Sequence, residues 1–148
     1  MYTAMAARRC GVQVSMFGPR PESFPDSMKP VADNLSEWPG PVVPLENMPQ
    51  FEISYRGGQT DYLQASLDAE ASLSPVMLPA DLSVYDLVHV TPVGHTSTQL
   101  SFLQACRERG ARQISAGTCL INVENQLPVV RAVMEQSDYF RSEEHTSE

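Results

Sequence analysis

Positive charge is scarce in this 148-residue chain: ten Lys and Arg stand against eighteen Asp and Glu, a formal net charge of −8 at pH 7. A nucleic-acid surface needs clustered basic residues. The one dense basic stretch is Arg107, Arg109 and Arg112, interrupted by Glu108, which reads as the exposed end of a helix. Nucleic acid is therefore excluded as a partner. Cysteine is sparse too. Cys10, Cys106 and Cys119 are far apart, odd in number and form no C-x-x-C, which argues against zinc and against a disulfide framework. Isolated cysteines of this kind usually pack as small apolar residues. No apolar run is long enough to span a bilayer. Arg8 and Arg9 follow the apolar residues of the first ten rather than precede them, the reverse of a signal peptide. Neither G-x-x-x-x-G-K-[ST] nor G-x-G-x-x-G occurs, so both common phosphate loops are missing. These absences predict a soluble, reduced, cytoplasmic protein with no membrane partner.

The last eight residues, Arg-Ser-Glu-Glu-His-Thr-Ser-Glu at 141–148, read as the in-frame translation of a library adaptor. Such segments are set aside in reasoning about a fold, and Glu143, Glu144 and His145 are not taken as ligands. Residues 1–140 remain, about one ordinary domain, expected to be cut in mid-fold at both ends.

Along the chain, residues 2–10 are Ala-rich and close on Gly11, which predicts a helix. Val12, Val14 and Met16 alternate with polar residues and predict a strand. Eight of the twelve prolines lie between Pro19 and Pro49, excluding regular helix and central strand there. Phe24, Leu35, Trp38, Val42 and Val43 in the same stretch predict an ordered loop. Phe51, Ile53 and Tyr55 alternate before Gly57-Gly58, and residues 60–63 follow, which predicts a β-hairpin. Residues 63–73 fit helix by composition and strand by periodicity. From residue 84 onward the order is strand, helix, strand, helix, strand. Its parts are a strand at 87–90, a helix capped by Ser97 or Thr98 and ending at Gly110, and a strand at 113–116. A loop at 117–126, a helix opening on Pro128 with Val129, Val130, Val133 and Met134 on its apolar face, and a strand from Asp138 complete it. That order implies a parallel sheet with right-handed crossovers and an α/β fold class.

Ligands of open α/β sheets bind beyond the carboxyl ends of the strands. Two such loops are visible, one with Thr91, Gly94, His95 and Thr96, the other with Gly117, Thr118 and Asn122. Glycine permits close backbone approach and hydroxyls bond a polyol or a phosphate, although the same residues also serve ordinary turns and caps. His89 alternates with apolar neighbours as a core histidine does. Paired with His95 it lacks a third ligand, so no metal is indicated.

The order and spacing of these segments resemble the pfkB, or ribokinase-like, family of carbohydrate and nucleoside kinases. Ala6-Ala7-Arg8-Arg9-Cys10-Gly11-Val12-Gln13-Val14 is similar to that family's early helix and strand. Phe51-Glu52-Ile53-Ser54-Tyr55 with Gly57-Gly58 resembles the β-strand lid over the sugar. Leu78-Pro79 and Tyr85-Asp86-Leu87-Val88-His89-Val90-Thr91-Pro92 resemble the strand entering the substrate cleft, and Phe102-Leu103 to Gly110 the next helix. Ser115-Ala116-Gly117-Thr118 and Ser137-Asp138-Tyr139-Phe140 resemble the following strand end and strand start. The chain departs from the pattern at Gly117, where many members have Asp.

The resemblance implies a three-layer α/β/α fold over residues 1–140, with a small lid at about 42–64. It also implies γ-phosphoryl transfer from ATP with Mg2+, to a hydroxymethyl group of a sugar or nucleoside, in a homodimeric parent. Phe51 and Ile53 would cover the sugar and Thr91 would stand near its hydroxyls. By the same resemblance the family's Asn-x-x-Glu motif would begin just after Phe140 and its catalytic Asp further on, so no catalytic residue is assigned and this chain alone is expected to be inactive. The competing expectation is a non-catalytic α/β module that binds a small ligand or a partner protein.

Overall fold

The computed structural model describes residues 2–56, 59–92 and 95–143. The chain is mixed α/β and divides into two compact units, Met1–Leu73 and Ser74–Glu148. The Gly57-Gly58 turn, Gly94 and His145 lie outside the described residues.

The first unit opens with helix α1 (Tyr2–Arg9), whose last turn carries Arg8 and Arg9 beside the negative end of the helix dipole. Gly11 takes φ +81. Its N–H bonds Arg8 O at 2.9 Å while the Val12 N–H reaches Ala7 O at 3.3 Å, the paired closure that a left-handed glycine makes at a helix end. The strand expected at 12–16 is not formed. Val12 is exposed, and this stretch makes a single parallel bridge, Ser15 to Glu37. The cause is proline. An extended run does continue along the pair, with N–H groups of Met16, Gly18 and Arg20 bonding the carbonyls of Glu37, Pro39 and Pro41. Pro39 and Pro41 have no N–H to return, so regular pairing is confined to β1 (Arg20–Pro21) and β2 (Val42–Val43), which lie parallel. Short helix α2 (Lys29–Asn34) lies between them. Phe24 packs on Trp38 with ring centroids 5.5 Å apart, so the proline-rich stretch is ordered, as its aromatics required.

The hairpin is present. Strand β3 (Gln50–Arg56) pairs antiparallel with β4 (Gln59–Ser66), with an irregularity between Glu52 and Ile53 that opposes Glu52 to Gln64 and Ile53 to Tyr62. The ambiguous segment thus stays strand to Ser66 and then turns into a 3-10 turn at Asp68–Glu70. Asp68 is held at φ 37, a conformation most side chains avoid.

The second unit is the strand–helix alternation. After a 3-10 turn at Pro75–Met77 come β5 (Val88–Val90), α3 (Thr96–Glu108), β6 (Ile114–Cys119), α4 (Leu120–Glu135) and β7 (Tyr139–Glu143). The sheet order is β5-β6-β7, all parallel. Stepping twice in one direction with right-handed crossovers puts both helices on one face, and α3 and α4 do pack against each other. Val90, Ile114 and Ala116 on that face are buried with Phe102, Leu103 and Cys106 of α3 and Val130 and Val133 of α4. Met134, expected on the apolar face of α4, is 51% exposed, because Val130 and Val133 already fill the inward stripe. The pairing of β7 extends to Glu143 through backbone groups that any residue supplies.

Three local expectations are corrected here. His95, not Ser97 or Thr98, holds the N-cap position of α3, and its side chain makes no capping bond. Residues 117–126 are not a loop: β6 runs to Cys119 and α4 begins at once, breaking only at Gln126 (φ −139, ψ 35). Pro128 causes that break, since it lacks an N–H and its ring collides with the carbonyl four residues back. His89 is not a core residue. It lies on the open face of the sheet, its Nδ1 2.8 Å from Ser115 Oγ, and desolvation holds its pKa below the ordinary value. Gly110 closes α3 as expected, at φ +85, with Gly110 N–H on Arg107 O and Ala111 N–H on Cys106 O.

Asp138 ties the end of α3 to the start of β7. Its Oδ2 accepts from Ile114 N–H at 2.7 Å and from the Arg107 guanidinium at 2.6 Å, and these bonds, the Ile114 N–H first, lower its pKa. A carboxylate whose folded pKa is depressed contributes stability above its unfolded pKa, about 3.9, and loses it as pH falls through the folded value. Asp138→Asn should therefore flatten the acid limb. In denaturant titrations from about pH 6 to pH 2, the native chain should lose more stability than the variant does. Equal losses would show that this carboxylate is not linked to folding.

Candidate functional site

At the carboxyl end of the parallel sheet, the starts of α3 and α4 converge on the ends of β5 and β6. Beyond Val90 the chain runs into Thr91-Pro92, and proline has no N–H with which to extend the ladder. Gln99 supplies the missing donor. Its Nε2 donates to Val90 O at 3.1 Å and to Gly117 O at 2.8 Å, from a side chain with no exposed surface. This brings the first turns of α3 within a side chain's length of Gly117, two residues before Cys119, the N-cap of α4.

Around this bridge three buried polar atoms have no hydrogen-bond partner: Thr96 Oγ1, Gln99 Oε1 and Thr118 Oγ1. Their residues are 1%, 0% and 3% exposed. An unpartnered buried polar group costs roughly 1–3 kcal/mol, and native structures hold few of them. Three at one sheet edge mark a place where stability is given up. Neither His95 nor Cys119 caps its helix through its side chain, and neither helix has an acidic residue in its first turn. The 13-residue α3 thus presents an uncapped N-terminus, with partial positive charge and spare N–H groups, at this edge; the part of α4 that begins here is short and ends at the break at Gln126.

Thr96 and Thr118, two of the residues singled out from the sequence, are brought into this cluster. Thr91 and His95 sit beside it on exposed positions, and Asn122 lies half-buried in the first turn of α4. Gln99 was not anticipated. Its signal was present, a polar residue three positions after Thr96 and in helical register with Leu103 and Cys106. Phe51 and Ile53 share β3 in the first unit, 50% and 36% exposed, on the same side as Tyr55 at 75%. Thr91 belongs to the second unit. Gly117 is not required by the backbone: its φ is not positive, and a Cβ there would meet only Arg141 O at 3.5 Å.

No family model, curated protein or solved structure matches the chain. Function must therefore be argued from chemistry. Among the described residues no three His, Cys, Asp or Glu side chains converge as a metal site, and no helix is long and apolar enough to cross a membrane. Burial pushes the Cys106 thiol up to about 11, which keeps it protonated and unreactive. An open depression of about 340 Å³ in the first unit is lined by Val43, Asn47, Asp68, Ala69 and Ser72. Asp68 is exposed to solvent there, whereas orienting a small ligand takes fixed polar groups in a dry wall.

Proposed function

We propose that the parent protein is an ATP-dependent kinase of the ribokinase-like class, a three-layer α/β/α enzyme of the cytoplasm that phosphorylates a hydroxymethyl group of a sugar or nucleoside. The observation that carries this reading is the buried, unpartnered set Thr96, Gln99 and Thr118 at the carboxyl end of a parallel sheet. Polyol hydroxyls both donate and accept, which is what two hydroxyls and an amide oxygen need. Within the first unit, the exposed apolar side of β3 supports a lid role for Phe51 and Ile53; within the second, Thr91 follows β5 at the carboxyl end of the parallel sheet.

Phosphoryl transfer depends mainly on positioning and charge stabilisation. This chain's part is to hold the acceptor. Thr91 orients its hydroxyls and Gln99 fixes the two strand ends relative to each other. Mg2+ and ATP would supply charge neutralisation and the phosphoryl group, and no residue here is assigned to either. Gly117, in place of the family's Asp, favours the second reading, a non-catalytic module that binds a polyol.

The test uses the complete open reading frame. ADP release should depend on a sugar or nucleoside acceptor, and Thr91→Val should raise KM for that acceptor with little change in kcat. The 148-residue chain should show no turnover above a no-enzyme control. An intact parent that releases no ADP with any hexose, pentose or nucleoside would leave the binding module standing.

A further inference from the structure

The face of the parallel sheet that α3 and α4 leave open carries a row of polar side chains. Parallel register sets His89 of β5 beside Ser115 of β6, and Ser115 beside Tyr139 of β7. His89 is exposed, Ser115 half-buried and Tyr139 56% exposed, so solvent reaches the row. Parallel sheets ordinarily carry apolar side chains on both faces; this row departs from that rule. His89 Nδ1 lies 2.8 Å from Ser115 Oγ, the distance at which a base takes a proton from a hydroxyl nucleophile. Desolvation lowers the His89 pKa, which keeps the ring neutral and basic at neutral pH. Neutral imidazole has one donor nitrogen and one acceptor. With the proton on Nε2, Nδ1 accepts from the Ser115 hydroxyl. Space for a reactant lies alongside. Gly117 follows two residues after Ser115 on the same face, and a Cβ there would meet nothing nearer than Arg141 O at 3.5 Å.

We propose that Ser115 is a nucleophile with His89 as its general base, and that the pair takes acyl groups from small activated esters. Ser115 Oγ attacks the ester carbonyl carbon while its proton passes to His89 Nδ1. The bond from that carbon to the leaving oxygen breaks, an aryloxide departs with the electron pair, and the imidazolium gives its proton to water. A water molecule, deprotonated by the same ring, then cleaves the acyl-serine to a carboxylate and restores Ser115. Among the described residues no carboxylate is bonded to the imidazole, so the pair lacks the third member of a triad. That limits it to aryl esters, whose leaving group departs without a proton. The pair shares no residue with the acceptor contacts of the kinase reading, and the two stand or fall separately.

The experiment mixes the 148-residue chain with p-nitrophenyl acetate at neutral pH. Nitrophenolate should appear in a burst followed by slower turnover, and peptide mapping by mass spectrometry should find the acetyl group on Ser115. Ser115→Ala and His89→Asn should each slow the burst by about a hundredfold. Asn sets an amide where Nδ1 stands, so it still bonds Ser115 but takes no proton. Its melting temperature should match that of the native chain, which separates lost chemistry from lost folding. Nitrogen NMR should find His89 Nδ1 unprotonated. A burst that survives Ser115→Ala, or acetyl groups confined to Lys29, the α-amino group or a histidine ring, would overturn the nucleophile. A native rate no faster than that of free imidazole at equal concentration would overturn activation by His89, and so would a proton resident on Nδ1.

Discussion

Gln99→Ala should cost about 3–5 kcal/mol of stability, the largest effect expected of any polar substitution in the chain. Two losses add. The Gly117 carbonyl forfeits the donor that Pro92 cannot supply and the Val90 carbonyl loses the same amide, and a buried carbonyl left bare costs roughly 1–3 kcal/mol. The side chain is also fully buried, so truncation opens a cavity between α3 and the sheet. Gln99→Glu should be no better, because a carboxylate cannot donate to either carbonyl and would itself be buried without a partner. Gln104→Ala, on the exposed side of the same helix, should fall within about 0.5 kcal/mol of the native chain. Urea titrations of the three variants at low protein concentration give the comparison. A Gln99→Ala cost below about 1 kcal/mol would mean that the carbonyls find other donors and that the bridge is not what holds the strand ends.

What the sequence disclosed, and what it hid, divides along a physical line. Signals that depend on local backbone chemistry were legible. Gly11 and Gly110 end their helices in the left-handed conformation. Alternation around Gly57-Gly58 foretold the pairing of β3 with β4, and apolar spacing foretold α3, the start of β6, the part of α4 from Pro128 onward, and β7. Signals that depend on a partner far along the chain were not. The alternation of Val12, Val14 and Met16 is real, but the segment opposite contains Pro39 and Pro41, and only the fold reveals that they face it. Residues 117–126 look like a loop because Gly117 and the polar Asn122, Glu124 and Asn125 break no helix yet advertise none. The sheet decides by pairing β6 up to Cys119. For the site, hydroxyls at strand ends could be named from composition, whereas their lack of partners, the property that makes Thr96 and Thr118 informative, exists only once everything around them is placed. Gln99 was missed because a glutamine in an amphipathic helix is ordinarily solvated, and its burial is set by Pro92 withholding an N–H elsewhere.

Leu103→Ala is expected to be the most disruptive apolar truncation in the second unit, about 2–5 kcal/mol. Leu103 has no exposed surface and lies in the middle of α3, opposite the strand that carries fully buried Ile114. Neighbours in a close-packed interior cannot collapse fully onto the space vacated by an isobutyl group, so lost transfer energy and cavity cost add. Met134→Ala removes a side chain of similar size from the same layer, but one 51% exposed, and should cost less than about 1 kcal/mol. Because the chain has two compact units, a single melting curve can blend their transitions. Amide hydrogen exchange separates them. Leu103→Ala should accelerate exchange at the paired amides of β5, β6 and β7 by one to three orders of magnitude, about what the cost implies at tenfold per 1.4 kcal/mol, while the β3–β4 amides keep their native rates. If the hairpin amides speed up by the same factor, the two units unfold together, and the second unit does not hold its core on its own.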